Sequence, residues 1–252
     1  MKITVLASGS KGNATLIKTD KSNILIDCGV TFQYLCSELE KVNVSPKDLN
    51  GILITHTHSD HIKGLSSLVK KTNIKVYILE EMYKDIKGKV PESNINFYTN
   101  PMQIDDLNIE LIRISHDVEG TGFVLESNGK TAVYITDTGY INKSYFQQMK
   151  NKNLYILESN HDEQMLMEGP YPYILKQRVI SDHGHLSNNT AAEYLLEIVG
   201  KNTQKIVLAH ISENNNTPEL ALETTKSLLE SNGIYKDILV AKQYESIEEI
   251  EV

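Results

Sequence analysis

The densest chemistry in the chain lies in six consecutive residues, His56-Thr57-His58-Ser59-Asp60-His61. Neutral imidazole is a common ligand for zinc and other divalent ions, and carboxylate oxygen binds the same ions. Histidines two apart point to the same side of an extended backbone, so His56 and His58 can meet one ion. Asp60 and His61 follow as the chain turns and can offer oxygen and nitrogen to a second ion, on the order of 3.5 to 4 Å away in two-metal sites. The competing reading is a polar loop that happens to hold three histidines. Imidazole and carboxylate groups crowded behind a buried strand need a compensating ligand, however, and that favours metal.

Such a run has to be held by rigid elements. It follows the apolar residues 52–55, expected as a strand, and leads into a helix near Gly64, so the histidines sit in the loop at a strand's C-terminal end. Upstream, residues 3–7, 15–18 and 24–27 read as short strands, the first two joined by the Gly- and Ser-containing turn of residues 8–13. Phe32, Leu35, Cys36, Leu39 and Val42 recur at helical spacing until Pro46 and Asn50-Gly51 break the pattern. Strands are expected again at 75–79, 109–114, 122–126, 131–136 and 154–158. Helices then follow at 191–199 and 218–229, with strands at 205–209 and 238–241. Residues 168–177, with Pro170, Tyr171, Pro172 and Tyr173, read as irregular. No repeat, low-complexity stretch or linker interrupts the chain, so residues 1–252 are expected to form one domain.

Composition narrows the class. Hydrophobic residues at 40% and charged residues at 23% match folded globular proteins and argue against disorder. No stretch reaches the apolar length of a membrane span, and residues 1–7 lack the features of a signal peptide. Cys28 and Cys36 form no CxxC pair and are too few for a disulfide framework, so a reducing cytoplasm is the economical expectation, with both thiols packed in the core. A formal charge of −8 argues against broad affinity for nucleic acid, which depends on Lys and Arg, but does not exclude it. Two bound divalent cations would offset half of that charge and concentrate positive potential where a phosphate reacts.

The run His56, His58, Asp60, His61 matches the HxHxDH signature of the metallo-β-lactamase superfamily without a substitution, and the chain resembles that superfamily along most of its length. The resemblance implies an α/β fold, a four-layer αββα sandwich. It also implies further site residues: Asp27 as an acid that orients ligands without binding metal, and His116, Asp137 and His210 as the remaining ligands. His56, His58 and His116 would complete one site, Asp60, His61 and His210 the other, and Asp137 would bridge them. Oxygen-reducing diiron relatives replace the second signature histidine by Glu; this chain keeps His58, which favours hydrolysis. Neither cysteine falls at a ligand position, unlike many true β-lactamases, so a phosphodiesterase branch fits better.

Within that branch the chain most closely resembles the YycJ/WalJ-like exonucleases, through the blocks of residues 8–13 (SGSKGN), 157–162 (LESNHD), 184–188 (GHLSN) and 210–215 (HISENN). Membership implies two divalent ions per chain, zinc or manganese, and 5′-to-3′ degradation of DNA. His185 is the candidate proton donor to the leaving oxygen, by resemblance to tRNA-processing relatives, with Glu158 orienting it. Ser212, Asn214, Lys176 and Arg178 are candidate phosphate contacts, and Tyr171 and Tyr173 can stack on bases. His161 faces the cleft or makes a structural hydrogen bond; His183 reads as an exposed loop residue. The alternative function is a small-molecule hydrolase of the same fold, acting on a cyclic phosphodiester or a thioester, because fold does not fix substrate. A catalytically silent scaffold is disfavoured by the full set of ligand types.

Overall fold

The computed structural model describes residues Met1–Val252. Its first sheet takes the strands of the N-terminal part in chain order, β1 (Lys2–Ala7), β2 (Ala14–Lys18), β3 (Asn23–Ile26), β4 (Gly51–Leu53), β5 (Val76–Ile78) and β6 (Ile95–Phe97). The second sheet is built the same way from β7 (Met102–Ile104), β8 (Leu107–Arg113), β9 (Thr121–Ser127), β10 (Lys130–Ile135), β11 (Leu154–Glu158), β12 (Lys205–Ala209) and β13 (Asp237–Val240). The last strand, β14 (Ile250–Glu251), returns to pair with β1 and completes seven strands in each sheet.

In both sheets an antiparallel half gives way to a parallel half: β3 to β6 in the first, β10 to β13 in the second. Parallel neighbours need long crossovers, and helices Phe32–Lys41, Leu65–Thr72, Asn188–Ile198 and Pro218–Ser231 lie in them. The strand sequences show why these layers form. In β11, all of it buried, Leu154 and Ile156 join the core between the sheets, whereas Tyr155 and Leu157 join a second core with Ala191, Leu195 and Ile198 of a covering helix. β12 alternates likewise, Val207 and Ala209 inward and Ile206 and Leu208 toward the helices. A strand apolar on both faces is what a sheet sandwiched between layers requires. The expected four-layer αββα sandwich is therefore the observed architecture. Cys28 is buried in the inter-sheet core, and burial pushes its thiol up to about 12, so it is an inert packing group.

Most expected elements are present with ends shifted by a residue or two. The helix expected near Gly64 is Leu65–Thr72, whereas three short strands, β6, β7 and β14, were not anticipated. β6 and β7 have three residues each and only one of those six is buried, too little for alternation to register. Residues 168–177 are irregular only at 169–172: Glu163–Glu168 and Tyr173–Val179 are helices, and Pro172 sits at the cap of the second, where its missing N–H costs nothing. That helix leaves Tyr173 and Ile174 70% and 83% exposed, so it shows no amphipathic stripe to read.

Candidate active site

The site forms where the C-terminal ends of the parallel strands meet. Asp27 follows β3, Asp137 comes two residues after β10, Glu158 ends β11 and His210 follows β12. Asp27, Asp137 and His210 all take left-handed backbone, with φ of 60°, 59° and 55°, which turns each side chain off its strand and toward the others. His56 comes three residues after β4. His58 keeps extended backbone and precedes the short helix Ser59–Ile62, whose first turn presents Asp60 and His61. That turn is clamped by Asn13 N–H donating to the Asp60 carbonyl and Cys28 N–H to the His61 carbonyl, both at 2.8 Å. Only glycine fits at position 29, since a Cβ there would stand 1.5 Å from the Asp60 carbonyl oxygen.

The hydrogen bonds assign the protons on each ring. His116 Nδ1 faces the Gly184 carbonyl at 3.2 Å, an acceptor only, so Nδ1 carries the proton and Nε2 is bare. His58 Nε2 lies 3.0 Å from Asp117 Oδ1, a carboxylate that favours the proton on that nitrogen and leaves Nδ1 bare. Thr55 Oγ1 gives its proton to Asp27 Oδ2 and so accepts from His56 Nδ1 at 3.1 Å, leaving His56 Nε2 bare. His61 Nδ1 donates to Asp27 Oδ2 at 2.7 Å, and His210 Nδ1 to Glu158 Oε1 at 2.9 Å. Every ring is thus held from outside and, in its neutral form, presents an unprotonated nitrogen inward.

Those inward atoms have nothing to share. The bare nitrogens of His56 and His116 lie 3.2 and 3.3 Å from that of His58. This matches the edge of a tetrahedron drawn around a zinc–nitrogen bond of about 2.0–2.1 Å, about 3.3–3.4 Å. His61 Nε2 stands 3.2 Å from Asp137 Oδ2 and 3.6 Å from Asp60 Oδ2. His210 Nε2 and Asp137 Oδ2 are buried without a hydrogen-bond partner. Acceptors facing acceptors in a dry interior repel unless a cation lies between them. Protons are strongly attracted here: burial opposes charge on His61, but Asp137 and Asp27 outweigh it and raise its pKa to about 10, and His210 is raised in the same way by Asp137. Burial lowers His56 and His116, which keeps them in the neutral form that ligates. His56, His58 and His116 therefore form one set able to hold a metal ion, and Asp60, His61, Asp137 and His210 another.

Beside these sets, His185 Nδ1 donates to Glu158 Oε1 at 2.7 Å, so its Nε2 is left for the cavity that the ring lines. Glu158 Oε2 accepts from the amides of Thr138 and Leu186, at 2.9 and 3.3 Å. Ser212 and Arg178 also line this cavity of about 260 Å³. Asn214 and Lys176 are not brought to it: Asn214 bonds the Tyr171 hydroxyl at 3.2 Å, and Lys176 Nζ is held by the Met167 carbonyl at 2.6 Å. Tyr171 lines the cavity; Tyr173 points to solvent. His161 is buried and away from the cleft, and burial lowers it to about 4. His183, expected to be a plain surface residue, is exposed but lines the cavity next to His116. Sequence reading missed Asp117, which joins His58 to Arg178, and Thr55 and Asn160, which hold His56 and the His210 carbonyl. Asp117 directly follows a candidate ligand, which was the one signal available.

The model of the β-lactamase superfamily domain matches residues 22–211, a span that contains every one of these ligand candidates. The chain belongs to the metallo-β-lactamase superfamily. Among its similar proteins is exodeoxyribonuclease WalJ of Streptococcus pneumoniae, 38% identical over 87% of this chain and 85% of the relative. Exodeoxyribonuclease YycJ of Bacillus anthracis is 34% identical over 92% of this chain and 90% of the relative. The metallo-β-lactamase fold protein YhfI from Bacillus subtilis superposes with a TM-score of 0.76 at 18% identity, over 98% of this chain and 99% of the other, which supports the fold. This superfamily member has no helix long and apolar enough to cross a membrane.

Proposed function

We propose that this protein is a 5′-to-3′ exodeoxyribonuclease that works with two divalent ions, zinc or manganese. The observation that carries the reading is the convergence of five bare imidazole nitrogens with the carboxylates of Asp60 and Asp137, an acceptor-only cluster that fits cations. The similarity to WalJ and YycJ supports DNA as the substrate, and the polarity is that of the exonuclease family the sequence blocks resemble. His56, His58 and His116 would hold one ion, Asp60, His61 and His210 the other, with Asp137 shared. A bound pair of divalent ions lowers the pKa of water toward neutrality and neutralises charge gathering on a phosphate. The protein's own groups do the rest. Asp27 fixes the His61 ring and, through Thr55, the His56 ring. His185 holds a proton at Nε2 for the departing oxygen, and Glu158 keeps that ring oriented through Nδ1. Ser212 Oγ accepts from the Asn215 amide, which leaves its hydroxyl proton for a phosphate oxygen.

The test is an assay of end-labelled single- and double-stranded DNA and RNA, beside a cyclic-nucleotide phosphodiester, with zinc or manganese supplied. DNA shortened from its 5′ end is the expected result. His58→Ala should lose metal and activity together, whereas His185→Ala should keep metal and slow by roughly 10² to 10⁴. Hydrolysis of the cyclic phosphodiester with no polynucleotide cleaved under either metal would replace this reading with the small-molecule one.

A further inference from the structure

A second, larger cavity, about 510 Å³, opens directly beyond His116 and His183, the two residues it shares with the cavity over the candidate metal ligands. We propose that it binds the nucleotide next to the one being cleaved, with Tyr140 stacking on the base and Lys84 meeting the phosphate. This rests on the nucleic-acid reading above and gives the strand a path.

Each wall of the cavity is tied to the site. Lys84 lies on the short helix Tyr83–Ile86, whose Asp85 accepts from Thr57 Oγ1 at 3.1 Å, so this wall is pinned between His56 and His58. Tyr140 stands three residues after Asp137 in a loop fixed by Thr138 Oγ1 donating to the Tyr140 carbonyl at 2.7 Å and by Gly139 N–H donating to the Ser115 carbonyl at 2.8 Å. His183 stands two residues before His185 and faces Ser115 Oγ at 3.4 Å. Groups that position the reaction therefore also position these surfaces.

The chemistry suits a nucleotide. Tyr140 is 41% exposed, so its ring presents a face on a fixed loop; base–aromatic stacking tolerates any base. The carboxylates lining the cavity are all engaged: Asp85 by Thr57, Asp117 by His58 and Arg178, Glu119 by Arg113. Arg113 is further held by Glu81. That leaves Lys84 as the cation without a carboxylate partner. The basic pair expected to carry phosphate is already occupied, Lys176 by a carbonyl and Arg178 by Asp117.

The experiment measures KM for a single-stranded DNA of about eight nucleotides, and binding of its cleavage-resistant phosphorothioate form by fluorescence anisotropy across a salt series. Tyr140→Ala should weaken both by roughly 5- to 150-fold, the size of one lost base stack, and Tyr140→Phe should not. Lys84→Ala should lower the salt slope by about 0.7 to 1, one phosphate contact. Metal content and Tm should match wild type; if Tyr140→Ala melts early, Tyr140→Phe and Lys84→Ala carry the test. A wild type that cleaves DNA, with both alanine variants binding as tightly and with the same slope, overturns the strand path alone. A wild type that neither cleaves nor binds any polynucleotide overturns the nuclease reading with it.

Discussion

Replacing Glu158 by Gln tests whether proton placement, more than shape, holds the site together. Glu158 is fully buried, and although burial pushes its carboxyl up, His185 and His210 hold it down at about 2, so it is charged at neutral pH. It receives four donors: His185 and His210 Nδ1 on Oε1, Thr138 and Leu186 amides on Oε2. Glutamine offers one oxygen and one NH₂, so two donors must face a donor. Turned toward the backbone, the NH₂ leaves two buried amides unsatisfied at about 1–3 kcal/mol each, about 2–6 kcal/mol in all. Turned toward the rings, it meets groups that can move their protons to Nε2 and accept. The second choice costs far less and should win. Its consequence is a proton on His210 Nε2, the nitrogen facing Asp137 at 3.3 Å, which can then no longer ligate. Glu158→Gln should therefore weaken metal binding about 10- to 100-fold with little loss of Tm, and slow turnover even at saturating metal, by up to the 10² to 10⁴ of general acid catalysis. Chelator competition, kcat at saturating metal and a thermal melt measure the three. An intact metal affinity with Tm down by roughly 4 to 24 °C, the melting shift of 2–6 kcal/mol in a chain of this size, would refute the proton argument. It would mean that the amides, and not the rings, lost their partner.

His161 gives a pH test with a defined sign. Its folded-state pKa is lowered to about 4 from 6.5 by burial, so the unfolded chain binds the proton first and stability is lost as pH falls through that window, by about 3 kcal/mol. His161→Gln should flatten the difference between urea midpoints at pH 6.5 and pH 4 relative to wild type, and an unchanged slope would show that His161 does not titrate there. Gly29→Ala should force Asp60 away and cost about 1–3 kcal/mol, seen as a Tm roughly 2–12 °C lower together with reduced metal content. A melt and metal content equal to wild type would mean the turn has slack that the contact does not suggest.

How far the sequence could be read depended on whether a signal was local. The signature His56 to His61 and the strand before it were legible because ligand types, spacing and a buried apolar run fall within ten residues. His116, Asp137 and His210 are separated from it by up to about 150 residues and came only through resemblance; no periodicity announces that β10 and β12 end beside β4. The Arg178–Asp117–His58 chain was invisible because it joins three segments with no common pattern. For the same reason Lys176 and Arg178 read as free cations, although the fold occupies both. The helix from Tyr173 was hidden by the prolines before it, which cap a helix as readily as they break one.

The left-handed turns at the strand ends set the interests of the fold against those of the reaction. Eight residues other than glycine have positive φ; seven are Asp or Asn, which bear that backbone best, and the eighth is His210. Glycine would relieve the strain at each, by an amount of order 1 kcal/mol. At Asp137, glycine would also remove a buried carboxylate oxygen that no protein donor satisfies. Directed evolution of the metal-free protein toward heat resistance alone would then drift toward substitutions such as Asp137→Gly, and each step up in melting temperature there would discard a candidate ligand. Selection with metal present reverses the gradient at that position. The growth medium used in such a screen, by its metal content, would decide whether a thermostable descendant is still an enzyme.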